Sequence, residues 1–439
     1  MRASLQITLC DRDEVVRSSG ENITYKQIYE ASNVLAHYLH DAGVTSGDVM
    51  IWAHRSADLV VISSLRIGGN GILSGGKFGG KDIFAQVRTK ASSPPDTQVG
   101  PDSAPTLSFT SGSEGRPKGV LGRHFSITKY ISWMAERFQL NSKSRFTLLS
   151  GIGHDPVQRD IFTPLFPGAQ LLVPSKEDIQ HEKLAEWMRE HKPTVTHLTP
   201  AIGQILVGGA TAKFPSLDMA FFVGDVLTTR DCRALQELAV NANIINMYGT
   251  TETQLEIPRR AKNPNFLDKL KDTVPAGKGM SNVQLLIVNR EDRTKLCKVG
   301  ELGEIYVRAA GLAEGYKGDH ALNEQKLLMN WFVDNKTWVE ADNKSNRDEP
   351  WRNYYKGPRD RLYRTGDLGR YLESGDVECT GRADDQVKIR GFRIELDNID
   401  SNLRQNPLIR DCKTLVQRDR DEEPKLVSYI VPKMKRWPQ

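Results

Sequence analysis

A chain of 439 residues, 38% hydrophobic and 26% charged, has the balance of a folded globular protein and the length for two or three structural units. Its 60 lysine and arginine residues against 55 acidic ones leave a net charge of +5, and the excess is interspersed, so a nucleic-acid partner is not expected. No apolar run reaches membrane-spanning length and no signal core opens the chain. With five cysteines that lack CxxC or paired spacing, this points to a cytoplasmic protein with reduced thiols and no membrane partner.

In chain order, residues 91–105 are rich in Ser and Pro and are predicted as a loop. Leu107 and Phe109 then run into Thr110-Ser111-Gly112-Ser113-Glu114-Gly115-Arg116-Pro117-Lys118-Gly119. Glycines let backbone N–H groups approach an anion, hydroxyls donate to it, and Lys118 supplies charge. The segment reads as a phosphate cradle. It is not a Walker A loop, which needs Gly-Lys-Ser/Thr. Ser126 predicts a helix N-cap, with Ile127, Tyr130, Ile131, Met134 and Phe138 following at helical spacing. Leu184, Trp187 and Met188 repeat that spacing. Short strands are predicted at 195–198, 220–223 and 244–247. Such alternation argues for an α/β fold of parallel sheets with helices on both faces, and places ligands where strands end. Residues 342–360 are polar and predicted as a second loop.

The cradle resembles the phosphate loop of the adenylate-forming enzymes, which include acyl-CoA synthetases and peptide-synthetase adenylation domains. The family's companion motifs follow in order. Ile23-Thr24-Tyr25 resembles its first core motif. Asn246-Met247-Tyr248-Gly249-Thr250-Thr251-Glu252 resembles its adenine and magnesium segment, and Gly300 to Ile305 with Gly311 to Tyr316 the next. Tyr363-Arg364-Thr365-Gly366-Asp367-Leu368 matches the ribose motif, and Gly381-Arg382-Ala383-Asp384 opens the hinge motif. The resemblance implies a large domain over 1–383 and a truncated small α+β domain over 384–439, with Asp384 as hinge.

It also implies roles. Thr110, Ser111, Gly112, Ser113, Gly115 and Lys118 would hold the departing phosphates of ATP. Thr251 would contact the α-phosphate, and Glu252 would hold Mg²⁺, a hard cation suited to carboxylate and phosphate oxygens. Tyr248, Gly249, Gly224 and Asp225 would border adenine. Asp367 would accept from the ribose hydroxyls, with Arg382 beside it. In amino-acid-activating members the aspartate matching Asp155 binds the substrate ammonium. Pro156, Arg159, His197, Phe221, Val223 and Met247 match other pocket positions. Arg159 lies one helical turn from Asp155 and suits a further carboxylate. It could instead pair with Asp155 or a neighbour, and His197 could be a satisfied core histidine.

His154-Asp155-Pro156 with Gln158-Arg159-Asp160, and Thr196 to Pro200, resemble the fungal L-2-aminoadipate reductases of lysine biosynthesis, as do Pro275 to Met280 and Gly357 to Leu362. That implies activation of the δ-carboxylate of 2-aminoadipate as an acyl-adenylate. A carrier domain with phosphopantetheine and an NADPH-dependent reductase domain would follow, and neither is expected within this chain. Departures from the pattern accompany the resemblance. The stretches around 69–105 and 255–262 are short, Leu255 stands where the family has a pocket arginine, and Asp397 to Asp400 replace Gly-Glu-Ile-Glu. Residues 432–439 hold no counterpart of the small-domain lysine, so adenylation is expected to be weaker by on the order of 10²–10³. An ATP-binding remnant without turnover, or adenylation of another amino acid, remain as alternatives.

Overall fold

Helix–strand alternation through the first half of the chain builds an eight-stranded sheet. The computed structural model describes residues 16–18, 21–44, 77–78, 81–82, 84–111, 117–151, 155–179, 183–253, 257–261, 270, 272–344, 349–384, 386–389, 392–417 and 425–433. In spatial order the strands are Ile257–Ala261, Asn243–Tyr248, Met219–Val223, Val195–Leu198, Arg145–Thr147, Gln170–Val173, Val16–Ser18 and Glu21–Ile23. The interior pairs are parallel, and the two edge strands run antiparallel.

Near-continuous burial along the central strands follows from helices covering both faces. One face packs on Tyr130, Ile131, Met134 and Phe138 of the helix His124–Phe138, and on Ile161 and Leu165 of the helix Pro156–Leu165. The other packs on Leu184 and Met188, Leu206, and Leu235, each from a different helix. Side-chain alternation sends Phe221, Val223, Ile245 and Met247 to the first face, and Leu198, Ala220, Phe222 and Ile244 to the second.

The expected α/β class, a parallel-rich sheet flanked by helices, describes this layer. The remaining sheets are antiparallel, which helix–strand alternation did not disclose. Five strands (Val283–Val288, Gly303–Ala309, Arg361–Tyr371, Leu327–Met329 and Val377–Arg382) form one sheet. Gly315–Tyr316, Lys118–Gly122 and Thr106–Thr110 form another. After Asp384 come the hairpin Gln386–Ile389/Phe392–Glu395, the helix Leu396–Arg404 and the hairpin Ile409–Gln417/Lys425–Pro432. Of the stretches around 69–105 and 255–262 that were expected to be short, residues 69–76, 79–80, 83, 255–256 and 262 lie outside the described residues, Leu255 among them.

Ser126 is not the N-cap of its helix. Arg123 holds that position in an extended conformation, and Ser126 is buried in the first turn. The helix starts early because residues 101–103 accept its first amides: His124 N–H bonds the Ser103 carbonyl (3.0 Å) and Phe125 N–H that of Pro101 (3.1 Å). The loop predicted at 342–360 is interrupted as well. The helix Lys336–Lys344 enters it, and a 3₁₀ turn spans Pro350–Tyr354. Arg352 forks onto Asp342 (2.9 and 3.1 Å) and lies over the Trp351 ring. Charge and cation–π contacts order this segment, so apolar periodicity could not reveal it.

Cys232, Cys297 and Cys412 are buried and Cys379 is partly exposed, none of the four in a disulfide; Cys10 lies outside the described residues. Among the described residues no helix is long and apolar enough to cross a membrane. The helix Tyr25–Asp41 opens on a Thr24/Gln27 capping box, and the buried Tyr25 hydroxyl donates to the carbonyls of Ala169 (2.8 Å) and Pro164 (3.1 Å). Tyr25→Phe leaves both carbonyls without that donor. The expected loss is about 1–3 kcal/mol, read as a lower urea midpoint at unchanged slope.

Candidate active site

Thr110 and Lys118, at the two ends of the phosphate cradle, pair in register on adjacent strands. Gly112, Ser113 and Gly115 lie outside the described residues, and Ser111 is half-buried. Thr110 Oγ1 is buried with no protein partner, as is Thr250 Oγ1. Orphaned buried hydroxyls are rare in folded proteins and mark places where a ligand can complete the bonding. Lys118 Nζ lies 3.8 Å from Glu395 Oε1.

On its far edge the strand Lys118–Gly122 pairs with Gly315–Tyr316. The Tyr316 hydroxyl donates to Glu252 Oε1 at 2.6 Å, and Ala313 N–H donates to the Glu252 carbonyl at 2.8 Å. Glu252 is 1% exposed. Burial, then the Glu252 charge, push the Tyr316 phenol far up, so it stays a donor. The same hydroxyl is 3.4 Å from that of Tyr363, on the strand that carries Asp367. Cradle, Glu252 and Asp367 are therefore joined by one short path of contacts.

At the end of that path Tyr248 donates to Asp367 Oδ2 (2.5 Å) and Arg382 Nη1 to Oδ1 (2.8 Å). Burial, then Asp367, push the Tyr248 phenol well up. Arg382 also forks onto Asp384 (2.8 and 2.7 Å). This pair explains Gly366: its φ is +81°, and a Cβ there would sit 2.9 Å from Arg382 Nη2 and 3.0 Å from Asp384 Oδ2. Gly224 leaves the strand Met219–Val223 at φ +95°, Asp225 Oδ1 accepts from Val226 N–H (2.8 Å), and Gly249 follows the strand Asn243–Tyr248.

On the opposite side, Asp155 stands at the N-cap of the helix Pro156–Leu165, with Pro156 in its first turn. Its carboxylate does not cap the helix. It accepts from Thr251 Oγ1 at 2.7 Å, which joins this helix to the motif that bears Glu252. Arg159 is buried, with Nε and Nη2 each 3.4 Å from Asp160 Oδ1. His197 Nδ1 is 3.2 Å from the same oxygen but off hydrogen-bond alignment, and Nε2 has no protein partner. Against burial, His197 and Arg159 hold the Asp160 carboxyl below its ordinary range. Burial, then Arg159, pull His197 down to about 4, so the ring is neutral at neutral pH. Its ring lies 5.0 Å from that of Phe221, its cross-strand neighbour. His197, Phe221, Val223 and Met247 thus share the sheet face that packs against Arg159's helix.

Sequence reading missed three residues here. Asp160 was quoted in a motif but given no role, yet it ties Arg159 and His197. Thr250 and Tyr316 were also quoted without roles. The signal for Thr250 was its place beside Thr251. Tyr316 offered none, because its reach to Glu252 is a tertiary fact.

Among the described residues no group of three or more His, Cys, Asp or Glu is placed to hold a metal. Mg²⁺ is commonly bound by one or two carboxylates together with substrate phosphates. The buried oxygen donor of Glu252, next to Thr251, fits that chemistry.

Residues 71–317 match the AMP-binding enzyme family. The L-2-aminoadipate reductase large subunit of Penicillium chrysogenum is 53% identical over 492 residues, covering 96% of this chain and 35% of that protein. The L-2-aminoadipate reductase of Saccharomyces cerevisiae is 50% identical over 484 residues, covering 94% of this chain and 35% of that protein. The chain thus spans about a third of the length of these relatives. Among solved structures, an artificially fused adenylation–PCP di-domain of a peptide synthetase from Klebsiella oxytoca superposes with a TM-score of 0.75 at 21% identity. That match covers 97% of this chain and 86% of the other, and speaks for the fold.

Proposed function

The chain belongs to the AMP-binding, adenylate-forming enzymes, and we propose that it uses ATP to activate the δ-carboxylate of L-2-aminoadipate. A substrate carboxylate oxygen attacks the α-phosphorus in line. The new P–O bond forms as the bond to the bridging oxygen breaks, pyrophosphate leaves, and the acyl-adenylate remains. Lys118, Thr110, Ser111 and the cradle's Gly112, Ser113 and Gly115 hold the departing phosphates. Thr251 contacts the α-phosphate. Tyr248, Gly249, Gly224 and Asp225 border adenine, and Asp367, steadied by Arg382, takes the ribose. Glu252 would hold Mg²⁺, which when bound would supply charge neutralisation at the phosphates. Asp155 receives the substrate ammonium and Arg159 the carboxylate that is not activated, within walls of Pro156, His197, Phe221, Val223 and Met247.

One observation carries this reading. Three segments assigned to the nucleotide meet at a single buried hydroxyl, that of Tyr316, which sits on a strand paired with the cradle, bonds Glu252 and neighbours Tyr363. The substrate assignment is supported by the identities to the two reductases. We assign residues 1–383 to a core and 384–439 to a partial small unit that turns about Asp384. In longer relatives we assign transfer of the acyl group to a phosphopantetheine-bearing carrier part and its reduction to an NADPH-dependent part.

Pyrophosphate–ATP exchange tests the reading. L-2-aminoadipate should drive exchange above background and above any neutral amino acid, and Asp155→Ala should lose the preference for aminoadipate over diacids without an amino group. Exchange with neutral amino acids alone would assign another substrate. A second reading, nucleotide binding without turnover, is favoured by one observation. The match to the Penicillium protein runs over 492 residues, more than this chain's 439, so the relative carries segments with no counterpart here. ATP binding with no exchange for any amino acid would decide for it.

A further inference from the structure

The segment from Ala310 to Tyr316 is held by an unusual density of guanidinium groups. Arg361 Nη2 donates to the carbonyls of Leu312 (3.0 Å) and Ala313 (2.9 Å), and its Nη1 to that of Glu314 (3.3 Å). Arg123 Nη1 donates to the carbonyls of Ala310 (2.7 Å) and Leu312 (3.3 Å). Arg359 bridges Asp102 (2.8 Å) and the Glu314 carboxylate (2.9 and 3.1 Å), and Lys356 reaches Glu314 as well (2.6 Å). Asp102 in turn pairs with Arg123. Arg123, Arg361 and Asp102 are all buried.

Placing so much charge out of water is costly, and a buried ion pair often adds no net stability. What the network does achieve is geometric. It fixes the carbonyls of Ala310, Leu312, Ala313 and Glu314 on a segment that also bonds Glu252. Ala313 N–H bonds the Glu252 carbonyl and the Tyr316 hydroxyl bonds its carboxylate. Backbone and side chain of Glu252 are thereby referenced to one clamped segment. A carboxylate on a flexible side chain otherwise turns about its terminal bonds, and Mg²⁺ demands near-ideal oxygen placement.

We infer that Tyr316 is a positioning residue for the Glu252 carboxylate, and that Arg361 and Arg123 act through it by clamping residues 310–316. The inference rests on Glu252 as the Mg²⁺ ligand, and the tests keep the two apart. Tyr316→Phe removes one hydroxyl. ATP affinity in EDTA, measured by calorimetry, should be unchanged. The Mg²⁺ concentration that half-maximally strengthens ATP binding should rise about tenfold, as should the Mn²⁺ concentration needed for a nucleotide-dependent bound signal in electron paramagnetic resonance. Glu252→Gln should show a shift at least as large. An unchanged or lower metal requirement in Tyr316→Phe, with Glu252→Gln impaired, overturns the positioning role and leaves the metal reading standing. Unchanged metal dependence in both overturns the metal reading and this inference with it. Arg361→Lys keeps the charge but loses the fork onto successive carbonyls. It should shift the same metal requirement in the same direction, and it decides the matter if Tyr316→Phe does not fold.

Discussion

Asp367→Ala is expected to weaken ATP binding by about 10²–10⁴. A hydrogen bond to a charged group contributes about 1.5–3 kcal/mol, each 1.4 kcal/mol is a factor of ten, and the proposed contact uses both ribose hydroxyls. Asp367 is 4% exposed and its carboxylate is already orientated by Tyr248 at 2.5 Å and Arg382 at 2.8 Å, so little ordering remains to be done on binding. Removing it also takes the acceptor of the Tyr248 hydroxyl and one of the partners of Arg382, which keeps Asp384, and this deepens the loss. A nucleotide lacking both hydroxyls separates direct contact from this collateral damage. The natural chain should bind ATP far more tightly than 2′,3′-dideoxy-ATP, and Asp367→Ala should bind the two alike. A variant that keeps the full preference for the ribose hydroxyls would remove Asp367 from the nucleotide site.

Much of this site was legible because adenylate chemistry writes its polar groups into short local motifs. The cradle, the Tyr248–Glu252 segment and the Tyr363–Leu368 segment are each a short continuous stretch, the last within the strand Arg361–Tyr371, so residue order is enough to recognise them. The helix-covered sheet was legible for a similar reason: Val195–Leu198 is apolar or buried throughout, as a strand between two helical layers must be. The failures share another cause. Ser126 looked like a cap, but the acceptors for that helix come from Pro101 and Ser103. Order in 342–360 comes from Arg352 and its partners. The clamp on residues 310–316 draws Asp102, Arg123, Arg359 and Arg361 from three distant stretches. Contacts that close long loops leave no periodic trace. Arg159 and His197 stood open between pocket and core, and burial alone does not decide between them, since both lie where the pocket is proposed and both touch Asp160.

Burial beside Arg159 gives His197 a large influence on the acid stability of the fold, with the shared Asp160 carboxylate working against it. Its ring is fully buried and pulled down from 6.5 to about 4 by burial first and Arg159 second. Between those two pH values the unfolded chain binds a proton that the native chain refuses, so falling pH favours unfolding. The histidine's contribution is whole above about pH 6.5 and is lost as pH drops toward 4. Two and a half pKa units correspond to on the order of 3 kcal/mol. Glu314 operates in the next window down. Although burial opposes its charge, Arg359 and Lys356 hold its carboxyl down to about 2, so its contribution is present above about 4.5 and fades below that. Urea unfolding at half-unit pH steps should therefore show an acid limb in two parts. His197→Gln should flatten the part between pH 6.5 and 4 and leave the lower part, whereas Glu314→Gln should do the reverse. A His197→Gln curve parallel to the natural chain through pH 6.5–4 would mean that the ring is protonated in the folded state. The corner beside Arg159 would then carry two cations against one Asp160 carboxylate, a pocket for a more acidic ligand than the one proposed.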